Sequence, residues 1–170
     1  MKRLYLIRHA KSSWDDPRLP DFDRPLNDRG KRDAPRAGRR LAEAGHRPDL
    51  LLSSPAKRAF GTAKRVAREL GFRKGDIARN IRLYHADESQ LLQAVRAQPD
   101  EATSLMLFGH NPGLTGFATL LCRYPFGNVP TCGVVCIDFP VERWQQVAYH
   151  GGALQFFDYP KKHEAGSGQP

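Results

Sequence analysis

Residues 4–12 read LYLIRHAKS, and this stretch places two charged or ionisable side chains at the end of an apolar run. Residues 4–7 are all apolar or aromatic, which predicts a short strand inside a sheet. Arg8 and His9 follow it directly. Either the strand has reached the surface there, or its end points into a site that holds an anion. The strands that follow decide between these alternatives.

Two later apolar runs end in the same way. DLLLSS (49–54) leads into a predicted helix that carries Arg58 in its first turn, and SLMLFGH (104–110) ends on His110. The alternation of strands and helices predicts an α/β fold of three layers, α/β/α, with a largely parallel central sheet. Open sheets of this kind bind ligands outside the carboxyl ends of their strands. We therefore expect Arg8, His9, Arg58 and His110 to converge.

The remaining pattern predicts further elements and one domain. Asn27 is suited to cap a helix that ends near Gly45, and Pro35 inside it is expected to kink the helix or remove a hydrogen bond. NIRLY (80–84) and RWQQVAYH (143–150) are typical of strands. Residues 1–160 are predicted to form a single domain, followed by a polar tail, 161–170, without fixed structure.

Composition favours an ordinary cytoplasmic protein. The chain has 170 residues, of which 40% are hydrophobic, and no apolar run is long enough to span a bilayer. The first apolar run stops at Arg8, too early for the core of a signal peptide. The three cysteines are an odd number without zinc-ligand spacing, so we expect free thiols.

The formal net charge of +9 is compatible with two kinds of partner. Nucleic acid is one, and a phosphorylated or otherwise acidic partner is the other. The basic residues lie in helical segments without interleaved aromatic residues, where an arginine-rich solvated face is also common. The sequence favours neither a nucleic acid nor a membrane as partner, but charge alone does not select the partner.

Two arginines beside two histidines suit the chemistry of a phosphoryl group. A guanidinium offers a planar fork of donors that matches phosphate oxygens and keeps its charge. Neighbouring arginines disfavour the imidazolium, so His9 is expected to be neutral and able to attack phosphorus. His110 is expected to stabilise charge in the transition state. Carboxylates of a metal cluster do not accompany them, so neither a metal nor a cofactor is expected.

Three motifs occur in the order in which a known family has them. LYLIRHAKS (4–12), SSPAKRAFGTA (53–63) and FGHNPG (108–113) resemble those of the histidine phosphatase superfamily, also called phosphoglycerate mutase-like. DFDRPLNDRGKRDA (21–34) is similar to the SixA-type phosphohistidine phosphatases. The resemblance implies that His9 accepts the phosphoryl group, that Arg8 and Arg58 clamp it, and that His110 is its second histidine ligand.

The first motif departs from the usual pattern of the superfamily at two places. Ala10 stands where most members have Gly, as SixA-type members often do. Many relatives also place a phosphate-binding Asn shortly after the histidine, where this chain has Lys11, Ser12 and Ser13. Ser12 is therefore a candidate for substrate binding.

Two further segments bear on the site. Relatives that act on sugar or alcohol phosphates use a Glu or Asp general acid, for which Asp87 and Glu88 are the candidates. A surface residue at the start of a helix is the favoured interpretation of Glu88. Arg24 has two possible roles, to order its loop through Asp21 or Asp23 or to approach the site, and the structural role is the favoured interpretation.

The substrate prediction rests on leaving-group chemistry. An alkoxide needs a general acid, whereas the imidazole of phosphohistidine can leave already protonated. The short chain also leaves little room for a lid. The predicted function is hydrolysis of phosphohistidine on a protein, through a covalent intermediate on the enzyme. Two alternatives stay open: a small-molecule phosphomonoesterase of the same superfamily, and a basic module that binds phosphate without turnover.

Overall fold

Within residues 1–167, the part of the chain that this computed structural model describes, six strands form one sheet. Side chains are described for residues 1–164. The strands are β1 (Lys2–Arg8), β2 (Leu50–Ser53), β3 (Ile77–Arg79), β4 (Ser104–Gly109), β5 (Val134–Phe139) and β6 (Ala153–Asp158). The α-helices are α1 (Asp28–Glu43), α2 (Lys57–Glu69), α3 (Glu88–Arg96), α4 (Gly113–Cys122) and α5 (Pro160–Ser167).

The sheet has the order β3-β2-β4-β1-β5-β6. The first four strands in this order are parallel, and β5 and β6 are antiparallel to their neighbours. The largely parallel α/β sheet predicted from the sequence is confirmed.

The alternation of side chains along the strands supplies two cores, one on each face of the sheet. Leu4 and Leu6 of β1 belong to a cluster with residues of α3 and α4. Tyr5 and Ile7 belong to a cluster with residues of α1 and α2. Successive residues of a strand point to opposite faces, so the helices form layers on both sides.

Helix α1 runs without interruption through Pro35. The Asn27 side chain accepts a hydrogen bond from the Gly30 amide at 2.9 Å and so caps the helix as predicted. Pro35 has no amide hydrogen to donate to the turn before it, so it removes one hydrogen bond from the helix without ending it.

Two segments predicted as strands are different in the structure. The edge strand is Ile77–Arg79, and Ile81–Leu83 forms one 3₁₀ turn, which the Asn80 side chain starts by accepting from the Arg82 amide at 3.0 Å. Trp144–Gln146 is also a 3₁₀ turn. Trp144 is fully buried and its indole N–H donates to the Ala102 carbonyl at 2.9 Å. A local hydrogen bond to the Asn80 side chain and a long-range one from the Trp144 indole thus override strand propensity.

The prediction of a tail without fixed structure is corrected where the structure describes this segment. Helix α5 begins at Pro160, a residue suited to the first helical position. The His163 imidazole lies 2.6 Å from the Asp158 carboxylate and joins the helix to the end of β6. Residues 168–170 lie outside the described part of the chain. Among the described residues, no helix combines the length and the apolar character needed to cross a membrane.

The parallel strands bring three chain segments together at the carboxyl-terminal edge of the sheet, where the strands end. Arg8 is in register with Gly109, and Ser53 with Phe108, so β1, β4 and β2 end side by side. The helix after β1 packs on one face and the helix after β4 on the other. Adjacent strands whose connections leave to opposite faces open a crevice at their carboxyl ends.

Candidate active site

The four residues predicted to converge meet at this edge. Arg8 is the last residue of β1, His9 follows it, Arg58 lies in the first turn of α2, and His110 follows β4. The ring centroids of His9 and His110 are 5.3 Å apart. His9, Arg58 and His110 are buried, with 8%, 5% and 5% of their surface exposed. These side chains therefore share one shielded position at the crevice.

The hydrogen bonding of His9 leaves one ring nitrogen with a lone pair that is free to react. Its Nδ1 lies 2.7 Å from the carbonyl oxygen of Ala10. A carbonyl only accepts, so Nδ1 carries the hydrogen and Nε2 the lone pair. Burial lowers the pKa of His9 to about 4, and the nearby Arg58 and Arg8 guanidinium groups act in the same direction. The imidazole is therefore neutral at pH 7.

The second histidine is held by a serine from the neighbouring strand. The Nε2 of His110 lies 2.8 Å from the Ser54 hydroxyl, directly after β2. Burial lowers the pKa of His110 to about 3, with further contributions from His9 and Arg58. Its Nδ1 is buried and has no hydrogen-bond partner among residues 1–164.

Within residues 1–164, Arg8 is anchored at one end of its guanidinium group only. Its Nη1 donates to the Val129 carbonyl oxygen at 3.1 Å. Its Nε is buried and is without a partner in the part of the chain whose side chains are described. Burial lowers the pKa of Arg8. A donor of this kind next to His9 is available to an anion.

Asp21 also belongs to this group, although the motifs did not predict it as a site residue. Arg58 donates from Nη1 to the Asp21 carbonyl oxygen at 2.7 Å and from Nη2 to its carboxylate at 2.9 Å. The Tyr84 hydroxyl donates to the same carboxylate oxygen at 2.6 Å. The hydrogen bond from Tyr84, followed by that from Arg58, holds the pKa of Asp21 well below its ordinary value.

Arg24 orders the loop between β1 and α1 through Asp21, as predicted. It donates to the Asp21 carboxylate at 2.9 Å and to the Ser13 carbonyl at 3.2 Å. Its third bond goes to the hydroxyl of Ser12, the candidate for substrate binding, so this hydroxyl is engaged within the loop. The guanidinium carbon also stacks 3.2 Å from the centre of the Trp14 ring, and Trp14 is 73% exposed.

Asp87 and Glu88 lie at the start of α3 and do not join the four central residues. The Asp87 carboxylate caps the helix by accepting from the Gln90 amide at 2.8 Å. Glu88 packs against Gly116 of α4, where a β-carbon would overlap its carboxylate. Over residues 1–164, neither forms a hydrogen bond or ion pair with Arg8, His9, Arg58 or His110.

Two aromatic residues complete the group around the histidines. The ring of Tyr84 is 5.6 Å from that of His110, and the ring of His85 is 6.3 Å from it. Both follow the 3₁₀ turn after β3, which is parallel to β2 and ends at the same edge. Their position after this strand is the sequence signal that would have found them. Among the described residues, no three His, Cys, Asp or Glu side chains are arranged to hold a metal ion.

Comparison with known proteins agrees with the sequence motifs, the first two of which lie within the matched part of a family model. Residues 4–83 match the model of the histidine phosphatase superfamily, branch 1. The chain is 32% identical over 154 residues to an uncharacterised chloroplastic protein of Arabidopsis thaliana, an alignment that covers 85% of this chain and 70% of the relative. This protein belongs to the histidine phosphatase superfamily. The resemblance inferred from the motifs is thereby confirmed.

Two further comparisons place this histidine phosphatase superfamily member near small proteins of similar length. It is 30% identical over 169 residues to an uncharacterised protein of Mycobacterium leprae, with 91% of this chain and 100% of the relative covered. A solved structure from Agrobacterium tumefaciens, provisionally assigned as the phosphohistidine phosphatase SixA, superimposes with a TM-score of 0.78. Their identity is 32%, and 94% of this chain and 98% of that chain are covered.

Proposed function

We propose that this protein hydrolyses phosphohistidine on a protein substrate through a covalent phosphohistidine formed on His9. The observation that carries the proposal is the state of the His9 imidazole. Its Nδ1–H is fixed on the Ala10 carbonyl at 2.7 Å, so a neutral ring presents the Nε2 lone pair next to Arg8 and Arg58. A neutral, oriented imidazole between fixed cations is the nucleophile that phosphoryl transfer requires.

In the first step the His9 Nε2 attacks phosphorus. A nitrogen–phosphorus bond forms as the bond to the substrate imidazole breaks, and that imidazole leaves carrying its own proton. Arg8 and Arg58 neutralise the phosphoryl oxygens. His110 contributes a further donor: when the Ser54 hydroxyl donates to its Nε2, the hydrogen lies on Nδ1, which has no partner among residues 1–164.

In the second step water attacks the phosphorus of the enzyme-bound phosphohistidine. The new oxygen–phosphorus bond replaces the bond to Nε2, whose electron pair returns to the His9 ring. Inorganic phosphate takes the oxygen of the water, and the surplus proton passes to solvent. His9 is again neutral, as its lowered pKa of about 4 favours.

The choice of a phosphohistidine protein as substrate has two supports. First, neither Asp87 nor Glu88 bonds to the central residues, and an imidazole leaving group needs less help from a general acid than an alkoxide does. Second, the related Agrobacterium tumefaciens structure carries a provisional phosphohistidine phosphatase assignment. Three free cysteines among the described residues suit a reducing compartment, so we place this activity in the cytoplasm.

One observation keeps a small-molecule phosphomonoesterase as the second candidate. The Tyr84 hydroxyl lies at the same edge as His110 and is able to donate a proton to an alkoxide. Burial and the Asp21 carboxylate raise the pKa of Tyr84, which makes it a weak acid for that task. We therefore rank phosphomonoesters below phosphohistidine.

A trapping experiment tests the proposal. Wild-type protein is mixed briefly with a protein radiolabelled on phosphohistidine, quenched in base, and the label mapped by peptide analysis. We expect acid-labile, base-stable label on His9, none in His9→Asn, and wild-type labelling in the matched control His150→Asn, a change at an exposed histidine. Turnover without label on His9, or higher kcat/KM for p-nitrophenyl phosphate than for the phosphohistidine protein, would refute the proposal.

A further inference from the structure

Exposed cations surround one buried aromatic ring on α2, beside the candidate active site. The side-chain nitrogens of Lys64 and Lys74 lie 5.4 Å and 5.9 Å from the centre of the Phe60 ring, and the Arg79 guanidinium carbon lies 4.7 Å from it. Lys57 lies one helical turn before Phe60 on the same face. We call Lys57, Lys64, Lys74 and Arg79 the Phe60 patch.

The four positive charges of the patch are not paired with carboxylates among the described residues. Over residues 1–164, none of its four cations has a carboxylate oxygen within ion-pair distance, although ten arginine or histidine residues elsewhere form such pairs. Burial, and then the charges of Lys74, Arg65 and Lys57, lower the pKa of Lys64. Mutual repulsion of this kind weakens the folded state, and a bound anionic partner relieves it.

The patch is continuous with the site through two elements. Lys57 directly precedes Arg58 at the start of α2. Arg79 ends β3 in register with Ser53, and the next residue, Ser54, contacts His110. A partner that extends from the crevice over β3 and α2 would therefore meet the Phe60 patch first.

We propose that the Phe60 patch binds an acidic segment of the phosphorylated protein, next to its phosphohistidine; this inference rests on the proposed function. The patch supplies charge complementarity, and the fixed arrangement of three cations over one ring gives it a defined position. It acts on substrate selection and has no part in the chemical step. Charge pairs at the rim of an interface mainly raise the rate of association.

The structure favours an acidic protein over a single-stranded nucleic acid as the occupant. Phe60 is only 7% exposed, because it packs into the core on the α1 and α2 side of the sheet and lies beneath the cations, so its ring offers no face on which a base can stack. Proteins that bind single strands combine cations with accessible aromatic rings. The patch has the cations without the accessible ring.

The test compares two phosphohistidine peptides that differ only in their flanking residues, acidic in one and Ser/Gly in the other. The patch variant is Lys64→Glu with Lys74→Glu. Its matched control, Arg47→Glu with Arg143→Glu, changes net charge equally at two exposed positions. Arg47 precedes β2, and Arg143 follows β5, which is antiparallel to β1. Both therefore lie at the amino-terminal ends of the parallel strands, away from the candidate active site.

We expect the patch variant to lower kcat/KM for the acidic peptide about tenfold, and that for the neutral peptide less than about twofold. The control should change neither value by more than about twofold, and the preference for the acidic peptide should vanish near 0.5 M salt. The milder pair Lys64→Gln and Lys74→Gln should show a smaller loss in the same direction. Equal losses on both peptides, or equal effects of patch and control variants, would overturn the inference.

A binding measurement separates failure of this inference from failure of the proposed function. Fluorescence anisotropy follows the unphosphorylated acidic peptide, which needs no turnover, on wild-type and patch-variant protein. If neither phosphopeptide is hydrolysed while wild type alone binds the acidic peptide, the proposed function fails and the acidic-segment site stands. Binding of a single-stranded oligonucleotide that the patch variant loses, with the acidic peptide unaffected, would overturn the inference.

Discussion

At the scale of single residues, Asp21 and a phosphate compete for the same guanidinium group. Two of the three nitrogens of Arg58 already bond to Asp21. The Asp21 side chain is 42% exposed, whereas that of Arg58 is 6% exposed, so the pair is a buried cation with a partly solvated counter-ion. Such a carboxylate orients Arg58 and at the same time repels an arriving anion.

The substitution Asp21→Asn should separate these two effects. With its amide oxygen in the position that accepts from Arg58 and Tyr84, Asn keeps these hydrogen bonds and gives up the one from Arg24. The negative charge is gone, so inorganic phosphate should bind more tightly. We expect its inhibition constant, measured by competition with the substrate, to fall about three- to tenfold, since one charge pair near a protein surface is worth about 1 kcal/mol.

The matched control for this change is Asp23→Asn, two residues away. Asp23 is exposed and forms no side-chain hydrogen bond or ion pair among the described residues. Its inhibition constant should stay within about twofold of wild type, a change of under about 0.5 kcal/mol. A higher constant in Asp21→Asn would mean that orientation of Arg58 outweighs charge competition.

At the scale of elements, the start of α4 is fixed by its close approach to the segment before α3. A β-carbon at Gly113 would overlap the carbonyl oxygen of Ala86, which lies in the backbone and cannot swing away. His110 lies three residues before this helix start, and Tyr84 lies two residues before Ala86. The contact between Gly113 and Ala86 therefore sets the distance between His110 and Tyr84.

Replacing Gly113 by Ala should therefore lower both stability and activity. We expect a loss of about 2–3 kcal/mol in the free energy of unfolding by urea, the upper range for overpacking. Gly75→Ala serves as the control, because a β-carbon there meets nothing within 4 Å. Similar stabilities of the two variants would show that the Ala86 segment yields without cost.

What the sequence could predict at this scale depended on strand ends. Apolar runs that stop on Arg8-His9 and Gly109-His110 follow parallel strands, so their convergence required only the rule for open α/β sheets. Asp21 was not predicted, because the loop that brings it to Arg58 is set by side-chain hydrogen bonds between distant segments. Tyr84 was missed because residues 80–84 were predicted as the strand itself, whereas the strand ends at Arg79. The single-domain boundary at residue 160 stays a prediction.

At the scale of the whole molecule, the two buried histidines make stability depend on pH. Their pKa values are about 4 and about 3 in the folded protein, whereas an unfolded chain has imidazoles near 6.5. Between these values the unfolded state takes up protons that the native state does not. Stability is therefore greatest above about pH 6.5 and falls as the pH decreases toward 4.

Urea unfolding at about pH 7.5 and about pH 5 measures this effect. Each histidine should account for a loss of about 2 kcal/mol on acidification, on the order set by the linkage relation. His110→Gln should recover about that amount of the loss, and the exposed-site control His150→Gln should keep the wild-type difference. A wild-type difference that His110→Gln leaves unchanged would contradict the linkage.

The contrasting surroundings of the two tryptophans give the molecule a pair of built-in optical reporters. Trp144 is fully buried and Trp14 is 73% exposed, stacked on the Arg24 that binds Asp21. Acrylamide should quench the emission of Trp14 first and leave the blue-shifted emission of Trp144 until the chain denatures. With one tryptophan replaced by Phe at a time, the remaining emission would report either on the loop between β1 and α1, through Trp14, or on the interior, through Trp144.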